Sequence, residues 1–329
     1  MTGNLTKLKT FYRENKQLRS RLFLILKVLI TLSAIFFVLR KVSLREVKSL
    51  LISANKSFLF LSLLSFTLSK LASASRTLII LRIFEVPLLR WENIKLYWTG
   101  MAYNIFLPGG IGGDIYKTLI INNKYKKGIK ISAGVFLMDR FSGVTGLIFL
   151  ALALIPFTSL GEEWKIISIL GLIITPLLSI ILIKTIMTRL KGNTGVLFLW
   201  SLLVQILQII AAMLILKSLN TESSYPDYLF IFLLSSLAAM LPVSIGGFGL
   251  RELVFLSVSP LLFLDQKIAV TTSFAFYLTT LLVSIVGLIP ALASKGTVYN
   301  DNLSFSNSPV LHDKIIKSKI EEYQDPFII

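Results

Sequence analysis

The sequence predicts an all-α integral membrane protein with about six full transmembrane helices and two re-entrant broken-helix hairpins, arranged as an inverted-topology repeat. Three observations predict it. The chain of 329 residues is 54% hydrophobic and only 16% charged, against about 45–50% apolar and about 25% charged residues in a soluble domain. The excess apolar residues fall in runs long enough to cross a bilayer. Two further apolar regions are interrupted by Pro and Gly, and the two interruptions resemble each other.

Residues 1–21 form a basic N-terminus carrying Lys7, Lys9, Arg13, Lys16, Arg19 and Arg21. The apolar run 22–39 is long enough to span and is followed by no small-residue cleavage site, so it reads as a retained helix rather than a signal peptide. Further spans are expected at 57–83, 131–157, 165–187, 194–218 and 267–293. The regions 94–121 and 227–264 differ: each is broken centrally, leaving two arms too short to span easily. Such breaks are tolerated only where the backbone faces protein or a water-filled cavity. The tail 294–329 is polar.

Lysine and arginine set the expected orientation. The N-terminus, the loop 117–130 (Lys117, Lys124, Lys126, Lys127, Lys130) and the group Lys184, Arg189 and Lys191 mark a cytoplasmic side. The acidic or neutral loops 161–165 and 220–227 then lie outside, and both termini are cytoplasmic. The basic loop 40–56 resists this scheme unless it is an interfacial helix.

The two interruptions read "LPGGIGGDIYK" (107–117) and "LPVSIGGFGLR" (241–251), with Leu, Pro, Ile, Gly and Gly coincident and a terminal cation in each. The offset from one motif to the other nearly equals the offset between the spans that follow them, 131–157 and 267–293. Each motif comes after two spans and before one. An odd number of spans per half turns the second half upside down, giving a first repeat at 22–157 and an inverted one at 165–293. In such transporters the site lies between the broken helices. The hairpin breaks are assigned to Pro108, Gly109, Gly112 and Gly113, and to Pro242, Gly246, Gly247 and Gly249.

The first motif is not a nucleotide loop. A P-loop needs Gly immediately before its Lys, and Tyr116 stands there; a dinucleotide fingerprint starting at Gly110 needs Gly or Ala where Ile115 stands. The candidates for chemistry are the charges. Asp114 reads either as the N-cap of the returning arm or as a proton or cation ligand. Lys117 and Arg251 either snorkel to the interface or clamp a lipid phosphate, with Glu252 able to neutralise Arg251 in the empty site. Asp139 and Arg140 lie about 100° apart on their helix and need not pair with each other. Arg76 has small neighbours and lines the expected cavity, with Lys70 on a different face. Gln205 and Gln208 share a face.

The net charge of +17 would suggest nucleic acid in a soluble protein. Here it fits positive-inside loops and anionic headgroups, and no nucleic-acid partner is expected. The chain has no cysteine, and its one histidine, His312, lies in the tail. Thiolate chemistry and intramembrane imidazole catalysis are excluded. With no metal-ligand cluster, paired catalytic carboxylates or nucleophile–base pair, neither cofactor nor metal is expected, and a transporter fits better than an enzyme.

The paired motifs resemble those of the lysylphosphatidylglycerol synthase transmembrane-domain family of flippase-like proteins. The matching residues are Asn104, Pro108, Gly109, Gly113, Asp114, Lys117, Pro242, Gly246, Gly247, Gly249, Arg251 and Glu252, within a resemblance covering roughly 20–295. It implies a lipid translocase of the cytoplasmic membrane and a stand-alone member lacking the soluble aminoacyl transferase domain of the two-domain synthases. The implied substrate is an anionic (glyco)phospholipid or polyprenyl-phosphate-linked lipid. It would be held by Lys117, Arg251, Arg140, Arg76 and Asn104, with Asp114, Asp139 and Glu252 in proton or gating roles. A lipid-modifying transferase, and a membrane subunit partnering a glycosyltransferase or lipid-synthesis enzyme, stay open, as does a homodimer.

Overall fold

The computed structural model describes residues 25, 28–29, 31–106, 111–186, 188–221, 224–241, 244 and 246–293. The segments 1–21 and 294–329, with His312, and the residues Pro108, Gly109 and Pro242 lie outside the described residues. Among the described residues the regular structure is entirely helical. Helix α1 covers 31–41. There follow α2 (Leu44–Ser53), α3 (Lys56–Ile83), α4 (Arg90–Phe106), α5 (Gly112–Tyr125) and α6 (Ile129–Leu154). The remaining helices are α7 (Glu162–Ile186), α8 (Thr194–Ser218), α9 (Tyr225–Met240), α10 (Leu250–Val258), α11 (Gln266–Ile285) and α12 (Leu288–Ala293).

Five helices among the described residues are long and apolar enough to cross a membrane: Lys56–Ile83, Ile129–Phe157, Glu162–Ile183, Thr194–Ser218 and Gln266–Pro290. They match the expected spans closely; the expected span 22–39 falls partly outside the described residues. The last span lies where expected but is not one continuous helix. α11 gives way at Val286–Gly287 to the short α12, and Gly287 lies so close to α4 that a Cβ there would sit 2.0 Å from Trp98 O.

The centre of the bundle is the antiparallel pair α3 and α8. At 28 residues, α3 is about 42 Å long, more than the roughly 30 Å hydrocarbon core. Asn55 starts it by accepting the Ser57 N–H at 3.0 Å. Its buried face carries Ser62, Ser65, Ser69, Ala72 and Ser73, and small residues let helix backbones approach closely. Ser62 Oγ donates to Ala211 O at 2.9 Å and Ser65 Oγ to Leu207 O at 2.7 Å. The Asn55 N–H donates to Ser218 O at 2.9 Å, which joins the start of α3 to the end of α8. By contrast, α7 exposes Ile166, Ile169, Leu170, Ile173, Leu177 and Ile181, as a lipid-facing helix does.

Each broken region is a pair of short helices. α4 and α5 have 17 and 14 residues; α9 and α10 have 16 and 9, so each arm falls short of the roughly 30 Å core. Glu92 at the start of α4 pairs with Lys124 at the end of α5 at 2.9 Å, so this pair opens at the end of the bundle where α3 finishes. The Tyr228 hydroxyl near the start of α9 donates to the Asp265 carbonyl just before α11 at 3.5 Å, so the second pair opens at the opposite end.

Gly112 and Gly113 do not form the first break. Both lie within the first turn of α5. Gly113 serves close packing instead: a Cβ on it would lie 1.8 Å from Gly100 O of α4. Gly246, Gly247 and Gly249 have φ of 61°, 81° and 86°, a backbone region glycine enters without steric cost. These three turn the chain between α9 and α10.

The basic segment 40–56 contains α2, capped by Ser43 Oγ accepting the Glu46 N–H at 3.3 Å. Its apolar side, with Val47 and Leu51, packs on Leu256 and Val270, while Arg45 and Lys48 are exposed. Lys267 Nζ lies 2.7 Å from Glu46 Oε1, and this hydrogen bond holds the Glu46 carboxyl below its ordinary range. The tie weakens only as pH falls through that lowered value.

Gly113→Ala should force α4 and α5 apart. Overpacking of this kind costs about 1–3 kcal/mol or more. Thermal unfolding in detergent should show a clearly lower midpoint, whereas Gly195→Ala, with nothing within 4 Å of the added carbon, should unfold like wild type.

Candidate functional site

The glycine-rich turn before α10 reaches the end of α4. A Cβ placed on Gly246 would lie 3.6 Å from Ile105 Cα, so the two broken regions touch beside their interruptions. Three groups of charges are held in the helices around them.

The first group is built on α5. The N-cap of this helix is Ile111, which makes no side-chain cap bond. Asp114 is therefore not the N-cap; it sits in the first turn, where a negative charge suits the helix dipole. The capping bond comes from α4, with Asn104 Oδ1 accepting the Gly113 N–H at 2.8 Å. Asp114 Oδ1 lies 2.8 Å from Lys117 Nζ, and Asp114 Oδ2 accepts from Arg140 Nε of α6. One carboxylate thus bridges two cations from different helices. Lys117 does not snorkel. It is 5% exposed, and its ammonium sits 4.6 Å from the Phe136 ring centroid and 5.3 Å from that of Tyr97. Tyr103 and Tyr116 pack against each other at 4.7 Å.

The second group joins three helices. Arg76 Nε of α3 lies 3.0 Å from Asp139 Oδ1 of α6, and Arg76 Nη1 donates to Ser201 Oγ of α8 at 3.0 Å. Both ions are buried. The guanidinium lies against Gly143, where a Cβ would make ordinary contact with Arg76 Nη1 at 3.5 Å. Asp139 and Arg140 are adjacent in sequence but serve different partners, as their angular separation on the helix allows.

The third group surrounds Arg251 in the first turn of α10. Its guanidinium carbon lies 4.8 Å from the Phe276 centroid and 5.9 Å from that of Phe232. Its Nη1 is buried without a hydrogen-bond partner. Glu252 forms no ion pair with it, and its negative charge reaches Arg251 only at longer range. Glu252 Oε2 accepts the Gly249 N–H at 2.8 Å, and Oε1 accepts from Ser273 Oγ of α11 at 3.1 Å. Glu252 therefore closes the start of α10 in the manner of a capping box and fastens it to α11. Lys70 of α3, set apart from this group in the sequence reading, lies 4.4 Å from the Phe66 centroid. Phe66 in turn meets Phe276 at 5.3 Å.

The sequence reading missed the rings. Tyr97 and Phe232 are separated along the chain by nearly the motif offset, whereas Phe136 and Phe276 are not. Aligning the two halves would expose the first ring pair only. Gln205 Nε2 donates to Gly143 O at 3.4 Å, beside the Arg76 group.

The family model described as the lysylphosphatidylglycerol synthase TM region matches residues 24–194 and 184–287. The chain belongs to this family. It is a multi-pass membrane protein in a family of membrane domains with a lipid-related role. A search of curated proteins gives no match.

The Arg76–Asp139 pair yields a stability test. Removing one partner of a buried ion pair leaves the other uncompensated and costs about 3–5 kcal/mol. Arg76→Met and Asp139→Leu should each lower the unfolding midpoint in detergent sharply. The double substitution should recover most of the loss, because no charge then stays unpaired.

Proposed function

We propose that the protein is a lipid translocase of the cell membrane, moving an anionic phospholipid or polyprenyl-phosphate-linked lipid between leaflets, with both termini cytoplasmic. The observation that carries this reading is the contact between the two broken regions at Gly246 and Ile105, with Lys117 and Arg251 in the helices that follow. A headgroup phosphate faces a steep desolvation barrier in hydrocarbon. Cations held inside a helical bundle lower that barrier while the acyl or prenyl tail stays in lipid.

The helix neighbours support an inverted repeat of 22–157 and 165–293. α4 with α5 has its counterpart in α9 with α10; α5 on α6 matches α10 on α11; α6 on α9 matches α11 on α4; α3 meets α8. The two broken pairs open at opposite ends of the bundle, as two gates serving opposite leaflets would. In this reading Asp114 is an internal stand-in for substrate. Its contacts to Lys117 and Arg140 break when a headgroup phosphate arrives and re-form when it leaves. Arg76 and Asp139 brace the pathway, and Asn104 and Glu252 hold the gates in shape.

The test is translocation in vesicles. Purified protein in phosphatidylcholine vesicles containing fluorescent phosphatidylglycerol should speed the exchange of label between leaflets, followed by quenching of the outer leaflet. Arg251→Ala should slow exchange roughly tenfold, equivalent to one lost charge-assisted contact. Exchange no faster than in protein-free vesicles, from protein that remains folded, would sink the proposal.

A further inference from the structure

Lys117 and Arg251 occupy matching places, each closing its motif. Each lies against two rings, one from the helix before the interruption and one from the long helix after it. The rings are Tyr97 and Phe136 for Lys117, and Phe232 and Phe276 for Arg251. The two seats share a plan and differ in counter-charge. Lys117 has Asp114 at 2.8 Å. The position matching Asp114 in the second motif is Phe248, whose ring packs on Tyr277 at 4.6 Å and on Phe274 at 6.4 Å. Among the described residues Arg251 forms no ion pair; Glu252 acts on it from a distance, and its own oxygens accept from Gly249 and Ser273.

A second cation adds to the imbalance. Phe66, Phe276 and Phe232 form a continuous aromatic layer, with centroids 5.3 Å and 4.6 Å apart. Lys70 rests on the Phe66 end of it and Arg251 on the Phe276 and Phe232 end, near enough for their charges to repel. Lys70 likewise forms no ion pair among the described residues. The nearby Arg76 is matched by Asp139 and adds no unmatched charge. Ring faces offset only part of the cost of holding two like charges away from water. A bound anion between them offsets the repulsion and part of the desolvation cost.

We propose that Lys70 and Arg251 form a seat for a phosphate group, occupied before the anion competes with Asp114 for Lys117 and Arg140. Arginine supplies a planar fork for two phosphate oxygens and lysine a point charge. The group is the phosphate of a lipid headgroup or a free phosphate ion. Only the lipid source rests on the translocase reading.

The experiment measures binding without transport. The full chain in phosphatidylcholine nanodiscs is titrated with fluorescent short-chain phosphatidylglycerol, and the bound probe is challenged with inorganic phosphate. Lys70→Gln and Lys70→Met should each weaken probe binding about tenfold or more, and Lys70→Arg should restore most of it. The methionine keeps the apolar stem over Phe66, so it decides the matter if the glutamine variant misfolds. Displacement by inorganic phosphate assigns the seat to the phosphate group itself; resistance to displacement assigns it to the lipid headgroup. Wild-type affinity in a folded Lys70→Met protein, or no probe binding to wild type, overturns the seat. Intact, Lys70-dependent binding with no translocation in vesicles overturns the translocase reading alone.

Discussion

Two helix backbones in close contact hold this bundle together. Lipid chains are as apolar as leucine, so burial of apolar side chains does little to drive helices together within a membrane. α3 and α8 associate through serine and alanine faces that let their backbones approach, with Ser62 and Ser65 donating across the seam to α8 carbonyls. The remaining long helices are placed against this seam. α6 packs into it through Gly146, where a Cβ would meet Ser201 at 3.1 Å, and Arg76 spans all three helices through Asp139 and Ser201.

A second constraint shapes the broken regions. Backbone polar groups inside a membrane need partners, and every interrupted helix leaves several without one. The two regions solve this with different residues. Asn104 reaches across from α4 to accept from Gly113 of α5, whereas Glu252 reaches back within its own first turn to accept from Gly249.

Buried charge is handled in three ways within one bundle. Arg76 and Asp139 neutralise each other in a closed pair. Asp114 is shared between Lys117 and Arg140, an arrangement that an incoming anion can enter by competition. Arg251 and Lys70 lie on an aromatic layer without a carboxylate partner among the described residues. This gradation distinguishes bracing from binding, because a pair satisfied on all sides has little to offer a ligand.

The sequence by itself determined the all-helical membrane class, the places of the long helices and the two related interruptions. Those features follow from the length of apolar runs and the positions of Pro and Gly, which are local properties. It also supplied the charges, but not their roles. Asp114 reads as a cap until Asn104 is seen to take that bond, and Glu252 reads as the partner of Arg251 until Gly249 and Ser273 are seen to hold it. Gly113 reads as a hinge until Gly100 of α4 is found against it. Lys70 and Arg251 lie in opposite halves of the chain, and nothing in its local pattern joins them. Only the packing of α3, α9 and α11 brings Phe66, Phe232 and Phe276 into one layer, because a charge in hydrocarbon takes its role from whichever groups the fold places beside it.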